Sequence, residues 1–448
     1  MVSTDGGAGT KRVSLREIAR VFAKVGAIGF GGGVGMLALI RQEVVERRRW
    51  VDDQQLSVAV AMGQMLPGPF VSNYAEYIGY ELRGMKGMVV AVIALLAPCF
   101  VLMCGLSFLY FRFGSVPLVV KLFSGVQPVI VGILAWATWS IGKANVKGWR
   151  EWVIGIAAAV ALFFKGDVLL VVLGSGVLGI VLSGAWKKRT TSEVRSQNGE
   201  VRSADIERRN RQEPALSGAD KRTAKSAKDA KVGAESKGRQ DRQEQRRKAN
   251  GERRMAFVPW LLPMLLVGAA AAVPGVWQKA GELAFVFLKV GTVIFGGGFA
   301  AIPFLQHEVV DVHHWLSMRE FIDGVALGQI TPGPVAITAA FIGYKVLGFW
   351  GALIAALGTF LPSSLMLWGL IKVYRRVSSN ALVQGFLSGV MPAVTGMLLS
   401  ATVFVGRSAI NGPVQAVLAL LTFCLLLRFK VEPVWLILGG ALVGIVMV

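Results

Sequence analysis

The sequence predicts an all-α polytopic membrane protein made of two homologous halves in an inverted-repeat arrangement, with helices broken by glycine and proline. Three observations carry this. Residues 21–33 (VFAKVGAIGFGGG) and 286–298 (VFLKVGTVIFGGG) agree at nine of thirteen positions at an offset of 265. Hydrophobic residues make up 54 % of the chain and gather in apolar runs of about 18 to 26 residues, the length a bilayer core demands. Breaks of the same kind recur at matching places in both copies, the pattern of duplicated membrane units with discontinuous helices.

Taken in order, residues 1–14 are a basic tail. Lys11, Arg12, Arg16 and Arg20 lead straight into a long apolar run, with no short apolar core and small-residue cleavage site, so no removable leader is expected. The first repeat spans 15–186. Its correspondence with the second runs through Glu43/Glu308, Trp50/Trp315 and Gln64/Gln329 to Pro67-Gly68-Pro69 against Pro332-Gly333-Pro334. The first copy then gains one residue, and at an offset of 264 the match resumes at Ile78-Gly79-Tyr80 and continues through Pro98 and Ser124-Gly125-Val126. Residues 187–255 are a linker, 256–280 an additional membrane helix, and 281–448 the second repeat. Apolar runs at 87–111, 116–141, 349–371, 381–405 and 435–448 are the clearest of roughly ten to thirteen membrane segments. Cys99, Cys104 and Cys424 lie inside apolar runs, where a thiol behaves as a small hydrophobe. Neither they nor His307, His313 and His314, which fall in an expected loop, have metal-ligand spacing. No metal, disulfide or other cofactor is expected.

The formal net charge of +21 invites a nucleic-acid reading, which its distribution excludes. Between 187 and 254 there are 21 Lys or Arg and 11 Asp or Glu, with almost no aromatic or large aliphatic residues. Such a stretch cannot bury a core, and it reads as a cytoplasmic tether held near anionic lipid. In the first copy the basic loops are 41–49, 83–86 and 143–150; in the second the richest is 372–376, the counterpart of the poor loop near Arg112. Because basic loops favour the cytoplasm, the two copies are expected to lie in opposite senses in the cell inner membrane, with the N-terminus and linker inside and Val448 outside. The loop at 41–49 fits only if its flanking segments are bent, re-entrant hairpins.

Each copy holds two breaks. Gly31-Gly32-Gly33 and Gly296-Gly297-Gly298 combine three residues with no side-chain restraint; Pro67-Gly68-Pro69 and Pro332-Gly333-Pro334 remove two backbone donors each. A helix restarting after Pro69 or Pro334 offers unpaired N–H groups at the positive end of its dipole, a ready oxyanion site that needs no charged side chain. Gln64, Ser72, Asn73, Gln329, Thr331 and Thr338 stand nearby to help. Lys24 and Lys289 occupy equivalent places at the edge of apolar runs, either lining a pathway or snorkelling to the interface. Glu43 and Glu308 follow each glycine block by ten residues, as ion-pair partners or proton carriers. Glu76, seven residues past Pro69, has Ala340 opposite it and is the better single candidate for proton coupling.

With FGGG, QMLPGP and QITPGP in place, the chain outside the linker resembles the chromate ion transporter family in its long, two-half form. The resemblance implies a polytopic inner-membrane carrier that exports chromate, driven by the proton motive force and conferring resistance. It carries family roles onto the two glycine blocks, the two Pro-Gly-Pro blocks, Gln64, Gln329, Glu43 and Glu308. First halves of that family commonly read FGGP with a histidine following, where this chain has Gly33 and Met36. Sulfate or another small anion is therefore an alternative substrate, and a passive channel is an alternative mechanism. A membrane scaffold recruiting partners through the linker is the alternative of another class. No phosphate loop, catalytic carboxylate pair or nucleophile–base arrangement is present, so an enzyme is not expected.

Overall fold

The computed structural model describes residues 13–30, 32–114, 116–164, 166–183, 275–295, 297–378, 380–429 and 431–447. Gly31, Gly296, residues 1–12, the linker, the apolar run at 257–273 and Val448 lie outside the described residues. Residues up to 188 and from 279 onward form one compact unit; of the separate unit 189–278 only 275–278 are described.

The first repeat runs α1 (Leu15–Ile28), α2 (Gly32–Arg41) continued by a π-helix (Gln42–Arg47), α3 (Asp53–Met65), α4 (Phe70–Phe113), α5 (Pro117–Asn145), α6 (Trp149–Phe163) and α7 (Val168–Leu182). The second repeats the order: α8 (Val276–Val293), a 3₁₀ turn (Gly298–Ala300), α9 (Ala301–Gln306) with its π-helix (His307–Val312), α10 (Met318–Ile330), a 3₁₀ turn (Val335–Ile337), α11 (Thr338–Ser378), α12 (Ala381–Ala409), α13 (Pro413–Phe429) and α14 (Pro433–Met447). Two expectations change here. Residues 41–47 and 307–312 are helical rather than looped. In the first half Gly32 and Gly33 already belong to α2, so the described non-helical residues of the break are Gly29 and Phe30. A glycine costs a helix only about 1 kcal/mol, and packing against α1 and α4 outweighs it.

Four stretches are long and apolar enough to cross a bilayer: 70–113, 117–145, 335–374 and 381–409. By contrast α1, α2 and α3 have 14, 10 and 13 residues, so none exceeds about 20 Å against a hydrocarbon core of about 30 Å. They fold back instead. Ile18, Phe22 and Val25 of α1 share a core with Met36, Ile40 and Val44 of the returning limb, and Arg48 lies close enough to Glu17 to act on its charge. Both ends of this hairpin are thus together. A second hairpin follows: Gly63 of α3 faces Asn73 and Tyr74 across the Pro-Gly-Pro tip. α4 then reverses at Arg83-Gly84, where Gly84 has φ 59°, and Gly79 lies so close to Gly87 that a Cβ would stand 2.7 Å from the Gly87 carbonyl carbon. Leu347-Gly348 and the Gly343–Gly351 contact repeat this turn in α11.

Repeat contacts are reciprocal. α6 and α7 pack on α12 of the other half, and α13 and α14 pack on α5. Small residues allow the close approach that membrane helices use: Gly179 against Gly385 and Gly389, Gly125 against Gly440 and Gly444. Where α5 meets α12, the equivalent residues Thr138 and Thr402 touch each other through their hydroxyls at 3.2 Å. A residue can meet its own equivalent only on an axis, so a pseudo-two-fold passes there. Large apolar side chains left exposed on these helices, among them Val101, Phe108, Trp139, Leu170, Val417 and Leu442, suit a lipid surface.

Candidate functional site

The four breaks meet tip to tip across the pseudo-axis. The Gly68 N–H donates to the Ile294 carbonyl at 2.6 Å, and the Gly333 N–H donates to the Gly29 carbonyl at 2.8 Å. Each Pro-Gly-Pro tip therefore docks on the end of the other half's first helix, just ahead of its glycine block. The docking needs glycine twice over. Gly68 and Gly333 adopt φ 109° and 113°, a region L-residues avoid. A Cβ on Gly68 would overlap Ser363, and one on Gly333 would sit 2.8 Å from Cys99 Cβ. Cys99 and Ser363 are themselves equivalent, each following the proline inside α4 or α11. Gly297, at φ 93°, lies against the Phe70 ring, with 2.6 Å from an added Cβ to Cε2.

The Gly68 and Gly333 N–H groups are thus engaged in docking, and the N–H groups that the sequence reading offers to an anion are the ones after Pro69 and Pro334. The expected hydroxyls are also engaged. Ser72 donates to the Pro69 carbonyl, Thr331 to Leu327 and Thr338 to Val335, and Gln64 bonds the Tyr74 hydroxyl. What remains lies mainly in the first half. Pro69 caps α4 without a side-chain bond, so the N–H groups of its first turn have no partner within the helix. Asn73 is fully buried and neither atom of its amide has a partner. Glu76, one turn further, is fully buried too: Oε1 accepts from Ser364 of the second half at 2.8 Å, while Oε2 has no partner. A buried polar group without a partner is costly, so two such groups on one helix beside an uncapped N-terminus make this the candidate site for a polar ligand. Its equivalent differs. The residue missing from the second copy tightens the first turn after Pro334 to a 3₁₀ turn, the Ile337 N–H donates to the Pro334 carbonyl at 2.9 Å, and Ala340 replaces the acid. Gln329 Nε2 is the one unpartnered buried group described on that side's break.

The lysines bind at the far ends of the returning limbs. Lys24 pairs with Glu43 at 2.8 Å, and Arg47 at 2.8 Å and Arg48 at 3.6 Å hold the same carboxylate. The Lys24 ammonium bonded to it keeps this carboxyl below the usual range. Lys289 pairs with Glu308 at 2.8 Å and Asp167 at 3.4 Å, and His313 bridges Glu282 and Glu308. One mouth is thus rich in cations, and its equivalent is rich in carboxylates.

The sequence reading misses a third group. Asp323 on α10 is 2 % exposed, its Oδ2 accepts from the Tyr110 hydroxyl at 2.7 Å and its Oδ1 from the Gln127 amide at 2.9 Å. Its counterpart in the first copy is Val58, so the duplication itself offered a signal: an acid in an apolar register on one side only.

Paired discontinuous hairpins meeting on a pseudo-two-fold, with unpartnered polar groups beside the breaks, define a membrane transporter built from repeats. The family model described as chromate transporter matches residues 16–180 and again 281–445, and the chain belongs to that family. It is 29 % identical over 439 residues to the chromate transport protein of Cupriavidus metallidurans, covering 97 % of this chain and 93 % of that one. With the chromate transport protein of Pseudomonas aeruginosa it shares 26 % over 398 residues, 87 % and 81 % of the two chains. An uncharacterized transporter of Bacillus subtilis is 33 % identical over 166 residues, 93 % of its own length and 36 % of this chain. No solved structure matches.

Proposed function

We propose that this protein is a secondary active carrier that exports chromate from the cytoplasm across the inner membrane, drawing on the proton motive force and conferring chromate resistance. The observation that carries the reading is the uncapped first turn of α4 beside the buried, unpartnered Asn73 amide and the Glu76 carboxyl. N–H groups at a helix start and an amide NH₂ supply donors to a tetrahedral dianion, and the low-dielectric surroundings strengthen each bond. Glu76, whose Oε2 lacks a partner, is the candidate proton carrier, exchanging its proton when the site meets water. The cation-rich mouth around Lys24, Arg47 and Arg48 faces the cytoplasm on the basic-loop rule and draws the anion in.

Sulfate is the second reading. Met36, standing where family first halves place a histidine, is fully buried in the apolar core of the first hairpin and packs against Gly29, so no imidazole is present there to favour chromate over its isostere. Labelled chromate uptake into inverted membrane vesicles tests both, with and without a proton gradient and with excess unlabelled sulfate. Gradient-dependent uptake is expected. Uptake indifferent to the gradient would point to a channel, and complete competition by sulfate to a shared oxyanion site.

A further inference from the structure

We infer that Asp323 is a proton-operated latch: ionised, it holds the second-half hairpin shut against the first half; protonated, it lets that hairpin swing away. The two hairpins are docked unequally. α10 packs on α5, α12 and α14 as well as on α4 and α11, whereas the equivalent α3 packs on α4 and α11 and makes no comparable packing with α12, α5 or α7 among the described residues. Eight consecutive residues of α10, 321–328, are buried, against four scattered ones in α3. The closed hairpin is the one that carries the acid.

The bonds of Asp323 run to the helices on which the hairpin closes. Tyr110 lies on α4 and Gln127 on α5, so both of its oxygens are held by the opposite half. Around the pseudo-axis the equivalents are Val58, Tyr374 and Met391. Tyr374 packs in the same cluster as Val58, so the phenol recurs while acid and amide do not. The other charged groups near Asp323 are Arg319 and Glu320 one turn earlier on α10. Glu320 is held at 2.7 Å by Lys345 of α11, whose ammonium lies 5.0 Å from the centre of the Phe111 ring of α4. Arg112 is the nearest cation along α4 and Lys121 the nearest along α5, while α5, α12 and α14 carry no acid.

Burial pushes the Asp323 carboxyl up to about 6, and the two donors aimed at it offset part of that cost, so the ionised form is held by these bonds. When a proton from the adjoining aqueous phase binds Oδ1 of Asp323, that oxygen turns from acceptor to donor and faces the Gln127 NH₂, which only donates, so that bond across the halves is lost. No electrons move. The proton leaves again as the hairpin shuts and the two donors reclaim the carboxylate. The role in coupling rests on the proton-driven reading above; the latch itself is measured separately.

Cys99 supplies the probe, since it is fully buried beneath the Gly333 tip. In a Cys104→Ala, Cys424→Ala background shown to transport, its labelling by a membrane-impermeant maleimide is followed against pH from each face of the membrane. Labelling from one face should rise on acidification. Asp323→Asn, which mimics the neutral acid, should label at least about tenfold faster at neutral pH and lose the pH dependence. Tyr110→Phe, a gentler change that removes one donor to the carboxylate, should move the rise to higher pH while the protein stays inserted. Slow labelling in Asp323→Asn with the parent's pH dependence, or an unmoved profile in Tyr110→Phe, overturns the latch. Gradient-independent chromate uptake alongside Asp323-dependent labelling would overturn proton-driven export and leave the latch standing.

Discussion

The hairpin formed by α3 and the first limb of α4 and the one formed by α10 and the first limb of α11 share length, turn chemistry and tip, yet the second is packed more widely against the opposite half. Their tips are interchangeable: each spends a glycine N–H on the opposite half's first helix and each sits against the residue after an intrahelical proline. Their flanks are not. One flank bonds the opposite half through Asp323 and the other presents Val58. The difference teaches that the tips keep the symmetry of the duplication while the flanks depart from it, so any preference between the two sides has to come from the flanks.

The largest effect should come from breaking the shared part. Gly68→Leu and Gly333→Leu force a side chain into a positive-φ position and into Ser363 or Cys99, and both should lower vesicle uptake per inserted molecule by about a hundredfold or more, since strain and overlap each cost on the order of 1–3 kcal/mol. Unequal losses would show that the tips are not equivalent. Next comes an attempt to erase the difference. Val58→Asp with Met391→Gln supplies the first-half hairpin with acid and amide beside the existing Tyr374, and should slow transport by about tenfold by stabilising closure on both sides. Fast uptake in this variant would detach the acid from the gate.

A smaller effect separates the two mouths. Glu43→Gln leaves Lys24, Arg47 and Arg48 without the carboxylate they share, while Glu308→Gln leaves Lys289 still beside Asp167, so the thermal unfolding temperature in detergent should drop more for the first. The loss is on the order of 1 kcal/mol or less because the cations are 36–54 % exposed. Since Lys24 lowers the Glu43 pKa, its contribution is complete above the ordinary carboxylate range and is lost as pH falls below it. The smallest change expected is for removal of residues 190–250, which should leave uptake within about twofold, as a carrier rather than a scaffold requires.

Much of this frame is legible in the chain. The duplicated glycine and proline blocks announce the breaks because no helix ladder survives two prolines around a glycine, and the apolar runs announce the long helices because bilayer thickness sets their length. What the blocks bond to is not legible. That Gly68 reaches Ile294 depends on how two halves close on an axis, which no local propensity encodes. Asp323 escapes for a related reason: in α10 it reads as one acid in a short amphipathic helix, and only Tyr110 and Gln127, 213 and 196 residues away, give it meaning. The single-residue offset between the copies is visible in the sequence, but its consequence, an α-turn after Pro69 and a 3₁₀ turn after Pro334, appears only in three dimensions.

The exchange of helix pairs between repeats also ties early parts of the chain to late ones. α5 is synthesised early, yet the helices that cover it, α13 and α14, are the last described in the chain. The glycine-lined face of α5 therefore stays uncovered until α13 and α14 have been made, and a truncation that removes α14 strips the cover from a helix some three hundred residues before it.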